Sequence, residues 1–459
     1  MKKKLNLNNL YSAIRTGVDQ DEKGEDPRSG YQKDYDRIIF SSAFRRLQNK
    51  TQVFPLPGSV FVHNRLTHSL EVSSVGRSFG HLIGKYILDN YESDLNPESK
   101  RFYRNHLKNV LAAACLCHDI GNPAFGHSGE DAMVSFFKKN KEELEPKFQP
   151  KEFSDLTKFE GNANSIRVLT QQLNGKAKGG LRLTYSTLSA IAKYPCESIA
   201  KDKSKTHRKK FGFLQSEKET FEKIATATGM IKDNDSKDVV YFRHPFVWLV
   251  EAADDICYNI IDLEDAQRLG IIETTHCERL LDNLIRCMGV EDMKSIDETI
   301  ESITDKNERI SYLRAKSINS LIFRAKELYI ENFEDIFTGK HEKALFDTIA
   351  EECGAVQEIL DFSKDFIYNH RSVVEIENGG YNVMYELLNH FVIPILKNEE
   401  DLEKSDEKAL QLLPRQYQTK SKSNYDKVFA IVDYLSGMTD LYATELYKKI
   451  KGIEIGMRN

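Results

Sequence analysis

Two adjacent carboxylates, Asp254 and Asp255, sit in a stretch that otherwise reads as protein interior, with Phe246, Val247, Leu249, Val250, Ile260 and Ile261 around them. The pattern from Pro245 to about Leu269 predicts one long helix. Burying two carboxylates in such a helix is costly unless a metal ion or another cation neutralises them. The fold must therefore bring positive charge to this helix. On it, Asp254, Tyr258 and Asp262 follow one another at i,i+4 and share a face, while Asp255 lies about 100° around. The partners are other helices: 25 Gly and 11 Pro in 459 residues are too few for a turn-rich β-sandwich. Leu66, Leu70, Val75, Phe79, Leu82, Ile83 and Ile87 mark a second, amphipathic helix. A third is predicted from about Phe102 to Asp119, ended by Gly121 and Asn122-Pro123. The fold class expected is all-α.

The remainder of the chain is organised around these three helices. Asp19 to Gly30 is polar and turn-rich, and a helical pattern begins at Ile38. Lys138 to Lys158 reads as a solvated face or loop, as does the basic run from Ala200 to Lys210. Beyond 269, acidic helical segments alternate with short connectors. We expect a catalytic core over 1–270, including an N-terminal arm over 1–35, and a helical C-terminal region over 271–459 packed on it. Seven cysteines without paired spacing suit reduced thiols in a cytosolic protein. Met1 to Asn6 is basic with no apolar run behind it, so no secretory signal is expected. The most apolar stretch, Val110 to Cys117, is far shorter than the ~20 residues of a membrane span. A net charge of −5 gives no global attraction to nucleic acid or anionic lipid. A cytoplasmic protein without a membrane partner is expected.

Only 12 histidines occur, and two keep specific company. Arg65 and His68 are i,i+3 neighbours, so a cation and an imidazole face the same side. His118-Asp119 stands at the end of the third helix, within Cys117 to Glu130. Taken alone, a histidine or a His-Asp dipeptide is usually a satisfied core or surface feature. Two imidazoles and two carboxylates together form a mixed nitrogen–oxygen set suited to Mg, Mn, Fe or Zn. Cys115 and Cys117 have no second pair at zinc-finger spacing and read as core packing.

The pattern of His, His-Asp and a later Asp resembles the HD-domain metal-dependent phosphohydrolases. Longer strings narrow the resemblance: Arg45 to Pro55, Asn64 to Val72, His118 to Glu130, Glu160 to Asn164, Leu183 to Tyr185, Lys193 to Cys196, Phe211 to Lys218, Glu251 to Ala266 and Asp433 to Ala443. These resemble the bacterial deoxyguanosinetriphosphate triphosphohydrolases, relatives of the mammalian SAM-and-HD-domain dNTP hydrolase, from about residue 28 to 445. The resemblance implies an HD-domain helical fold with a helical C-terminal extension. It implies hydrolysis of dGTP, and of other dNTPs in some members, to deoxynucleoside and triphosphate.

By the same resemblance His68, His118, Asp119 and Asp254 hold one divalent ion, Mg or Mn, with Fe, Co or Zn as other candidates. Asp254 is preferred to Asp255 because the family's Asp is followed four and eight residues on by Tyr and Asp. His127 and Glu130 match the catalytic pair, and Arg65 is the first choice for the phosphates, ahead of Lys193 and Lys218. Gln52 and Asp262 match residues that bind the sugar 3′-hydroxyl, and Tyr258 the ring against C2′. Asn122 stands where the superfamily carries His or Asn. Glu160-Gly161-Asn162 stands where the mammalian relative has a further catalytic His. The partners implied are a dNTP substrate, an allosteric dNTP or single-stranded DNA, and further copies of the chain, a hexamer among them. Two other readings remain compatible with the sequence: another HD phosphohydrolase (a 5′-nucleotidase or cyclic-nucleotide phosphodiesterase), or a single-stranded nucleic-acid binder using Lys201 to Lys210.

Overall fold

The computed structural model describes residues 5–18, 26–54, 62–175, 178–418 and 423–454. The first four residues of the basic N-terminus, most of the turn-rich segment after Asp19, and Pro55 of the Arg45–Pro55 string lie outside the described residues. As the pattern requires, the architecture is all-α. Among the described residues 22 α-helices form and no strand does; isolated bridges such as Thr51 with Asn64 are the nearest approach to a sheet.

Helix Arg65–Tyr91 starts where Asn64 caps it: its side chain accepts from the Leu66 and Thr67 amides, and the Thr67 hydroxyl accepts from the Asn64 amide. The helix buries Val72, Val75, Phe79, Ile83 and Ile87 against Leu107–Cys117. The two approach backbone to backbone. A Cβ on Gly76 would stand 2.4 Å from Cys115 Sγ, and one on Gly80 2.4 Å from Lys108 Cα. Helix Val247–Arg268 lies across this pair and is buried along most of its length.

Two sequence expectations change here. The helix read from about Phe102 to Asp119 is two, Pro97–Asn105 and Leu107–Cys117, which meet at His106. Apolar residues continue on both sides of that break, so periodicity does not reveal it. The segment 138–158, read as solvated, contains helices Lys141–Leu144 and Pro150–Thr157, which bury Leu144, Phe153 and Leu156.

Two apolar cores result. The first runs from Leu7 to Val373, crossing residue 270, so the two parts proposed, 1–270 and 271–459, share it. The second joins Ala124, Phe136 and Phe137 to Met384, Leu388, Phe391 and Val432. It seats helix Gly126–Lys139 against the C-terminal helix Arg371–Ile395. The expectation of reduced thiols throughout is also corrected: Cys287 and Cys353 form a disulfide, joining positions 66 residues apart, a distance at which no spacing motif operates. The other five cysteines are free and buried. Among the described residues, no helix is long and apolar enough to cross a membrane.

Candidate active site

The glycine-lined contact between helices Arg65–Tyr91 and Leu107–Cys117 sets His68 beside His118, ring centroids 5.3 Å apart. His118 Nδ1 lies 2.7 Å from the Cys115 carbonyl oxygen, an acceptor, so Nδ1 carries a proton and Nε2 is the nitrogen turned toward the cluster, able to bind an ion once its own proton leaves. That Nε2 is buried and has no hydrogen-bond partner. It stands 3.4 Å from Asp254 Oδ1 and 3.6 Å from Asp119 Oδ1, and His68 Nε2 stands 3.0 Å from Asp254 Oδ1. Ligand atoms of His68, His118 and Asp119 all lie within 4.8 Å of one another. Asp254 joins them through the one oxygen that faces both imidazoles. An orphaned imidazole nitrogen among carboxylate oxygens fits a divalent ion.

The adjacent carboxylates are offset in different ways. Burial opposes the charge on Asp254, but His118 and His68 outweigh it and hold the carboxyl well below its usual range. Burial lifts Asp255 well above that range, with Lys193 as its main counterweight. Burial likewise opposes charge on His118, yet Asp119 and Asp254 raise it to about 9.

A cleft of about 320 Å³ opens beside these groups, and Gln52, Arg65, Asn122, His127, Glu130 and Tyr258 all line it. Arg65 donates to Asp119 Oδ2 at 2.5 Å and Asn122 Nδ2 to Asp119 Oδ1 at 2.6 Å, so two polar side chains orient one carboxylate. Gln52 Oε1 and Arg65 Nε are buried without partners. Burial lowers the His127 pKa, and the nearby Lys210 and Arg65 lower it further. Burial and the neighbouring Glu160 carboxylate raise Glu130 to about 7. An adjoining chamber of about 270 Å³ shares Gln52, Arg65, His127 and Tyr258, and is walled by Tyr368 and Val373 from the C-terminal region.

Of the candidate sugar contacts, Asp262 alone lines neither space. It is buried one turn beyond Tyr258 and accepts from the Tyr368 hydroxyl at 3.1 Å, while the Tyr258 and Tyr368 rings stack 5.6 Å apart. Of the two secondary lysines, Lys193 lines the cleft and pairs with Glu251 at 3.1 Å. Lys218 pairs with Glu197 at 3.1 Å and lines neither space. Sequence reasoning missed Lys210, which closes the basic run read as a solvated loop. It lines the cleft and donates to Glu160 Oε1 at 2.9 Å. Its signal was its place directly before the Phe211 string. Tyr368 stands directly before Asn369-His370-Arg371, a stretch whose loose resemblance to a family segment at a neighbouring active site supported no role.

The HD domain family model matches residues 65–180, and the phosphohydrolase-associated domain model matches residues 348–449. Fold, ligand cluster and cleft thus define an HD-domain hydrolase of the metal-dependent phosphohydrolase class. A deoxyguanosinetriphosphate triphosphohydrolase-like protein of Synechocystis is 36% identical over 97% of this chain and 99% of its own length. A protein of the same description from Pseudomonas aeruginosa is 35% identical over 96% of this chain and 98% of its own. The deoxyguanosinetriphosphate triphosphohydrolase of Yersinia enterocolitica is 29% identical over 92% and 94%. The chain belongs to the deoxyguanosinetriphosphate triphosphohydrolase-like family.

Proposed function

We propose that this protein hydrolyses deoxynucleoside triphosphates, dGTP among them, to the deoxynucleoside and inorganic triphosphate. One observation carries the reading: the ligand cluster opens onto a single cleft that holds Arg65, Lys193 and Lys210 and continues into a chamber bounded by Gln52, Tyr258 and Tyr368. Cations for a triphosphate and an aromatic wall for a sugar thus meet at one group of metal-binding side chains. His68, His118, Asp119 and Asp254 would hold the ion. Once bound, a divalent ion would polarise an α-phosphate oxygen and lower the pKa of a coordinated water.

The other steps belong to the chain. A triphosphate brings about four negative charges, which Arg65, Lys193 and Lys210 offset. Each is already held by a carboxylate, Asp119, Glu251 and Glu160 respectively, so their positions are set before substrate arrives. Attack at the α-phosphorus expels the 5′-oxygen, which needs a proton. His127 and Glu130, i,i+3 on one helix, supply it. With Glu130 near 7 the pair retains a proton in part of the population at neutral pH, and the incoming phosphate charge favours its transfer to His127. Gln52, with its free acceptor, binds the 3′-hydroxyl. A 2′-hydroxyl would meet the Tyr258 ring without a hydrogen-bond partner, so ribonucleotides are disfavoured.

The test is to incubate each dNTP, and GTP, with Mn²⁺ or Mg²⁺ and identify the products by chromatography. Deoxynucleoside plus triphosphate is the expected outcome. Diphosphate or monophosphate products would instead assign the site to another HD phosphohydrolase chemistry.

A further inference from the structure

The string Asp433 to Ala443 resembles the family, yet Asp440 lines neither the cleft nor the adjoining chamber. It is the first residue of helix Asp440–Ile450. Its Oδ2 accepts from the Thr51 amide at 2.7 Å, and its Oδ1 accepts from the Phe125 amide at 2.9 Å. Thr51 immediately precedes Gln52, and Phe125 lies two residues before His127. One carboxylate therefore joins the segment that carries the proposed sugar contact to the turn that presents the proposed acid.

That turn needs holding. Phe125 (φ 61°) and Gly126 (φ 56°) are consecutive left-handed residues, a region that a non-glycine side chain occupies only when its surroundings hold it there. A second link runs in parallel. Lys50 Nζ donates to the Asn122 carbonyl at 2.5 Å and to the Ser436 carbonyl at 2.8 Å. The Phe125 ring is seated against Gly380, where a Cβ would come within 2.4 Å of it. The turn is thus gripped from the C-terminal region on two sides, while Lys50 and Thr51 tie the same region to the start of helix Arg65–Tyr91 through the bridge to Asn64.

We propose that Asp440 is a positioning residue: acting through the Thr51 and Phe125 backbones, it fixes Gln52 relative to His127, so the C-terminal region completes an active site that Asp440 itself does not touch. The inference deepens the dNTP-hydrolysis reading and rests on it. Both carboxylate oxygens are in use. An asparagine there offers one oxygen and turns an NH₂ toward the other amide, which leaves that amide unpaired. The two segments then separate slightly, and small displacements of reacting groups are expensive in rate.

The experiment compares full-length wild type, Asp440→Asn and Asp440→Ala, with exposed Leu441→Ala as control. Asp440→Asn should retain wild-type helix content by circular dichroism and wild-type Mn²⁺ affinity by calorimetry. Its kcat should fall about 10–100-fold, with a higher KM. Deuterium exchange should accelerate in peptides covering 47–54 and 122–131 and stay unchanged along 65–91. Asp440→Ala should exaggerate each effect. Unchanged exchange in those two segments, or faster exchange with kcat unchanged, overturns the assignment. Loss of Mn²⁺ binding, or exchange rising along the whole chain, overturns it as well, since Asp440 would then be a general folding residue. Wild type that turns over no dNTP would defeat the proposed function, while the exchange readout would still decide whether the clamp exists.

Discussion

The cleft beside His118 and the polar cavity beside Arg167 are built from similar materials and end differently. The Arg167 cavity is the larger, about 530 Å³ against about 320 Å³. Its buried charges answer one another: Arg167 binds Asp433 through two nitrogens at 2.8 and 2.9 Å and Glu217 through a third at 3.0 Å, and Gln171 adds a bond to Asp433 at 2.6 Å. None of these side chains keeps a buried polar atom without a partner. Around the smaller cleft, Gln52 Oε1, Arg65 Nε and His118 Nε2 are buried and unanswered. Leaving such a group unmade costs about 1–3 kcal/mol. The fold bears that cost in the cleft and avoids it in the cavity. The two spaces thus differ in their unsatisfied polar atoms, with the smaller one holding them.

Substitutions should divide along the same line. Asp254→Ala should abolish both Mn²⁺ binding and turnover, whereas Asp255→Ala should keep the ion; calorimetry on the pair would break the comparison if the two behaved alike. His127→Ala should keep the ion and lose about 10²–10⁴ in kcat. A variant that retained wild-type turnover would remove His127 as the acid.

In the larger cavity, Arg167→Ala leaves Asp433 and Glu217 buried without their cation. It should cost about 3–5 kcal/mol in urea unfolding, with kcat per folded molecule unchanged. A drop in kcat there would merge the two regions.

The smallest effect is graded. His118 stands near 9 because of its carboxylate neighbours, so a proton must leave before an ion binds. Mn²⁺ affinity should therefore rise with pH, by up to about tenfold per unit for one proton, and level off near 9. At saturating metal the rate should decline above about 7, as the Glu130 proton is lost. An affinity that is flat with pH would mean the ion binds without displacing that proton.

What the chain disclosed in advance follows from how local each signal is. His68 and Asp254 lie on helices, and His118 and Asp119 directly follow one, whose periodicity is written within a dozen residues; the four converge because those helices pack. The carboxylate pair stood out because its surroundings are apolar. The sugar-binding role of Asp262 came from the family resemblance, and helical spacing added only that it shares a face with Asp254 and Tyr258. That spacing says nothing about Tyr368, which arrives from 106 residues away and donates its hydroxyl to the Asp262 carboxylate. Lys210 was hidden by its company, since a run of lysines reads as solvated whichever member turns inward. The break at His106 and the Cys287–Cys353 link are tertiary events with no local punctuation.

The close contact at Gly76 and Gly80 has a consequence for inheritance. Gly80 lies twelve residues from His68, about 18 Å along the helix. A single methyl group there would wedge two helices apart and disturb how the imidazoles face each other, without touching nucleotide or ion. Harmful variants of this protein should therefore gather along a seam where nothing reacts, and a screen confined to the pocket would pass over them.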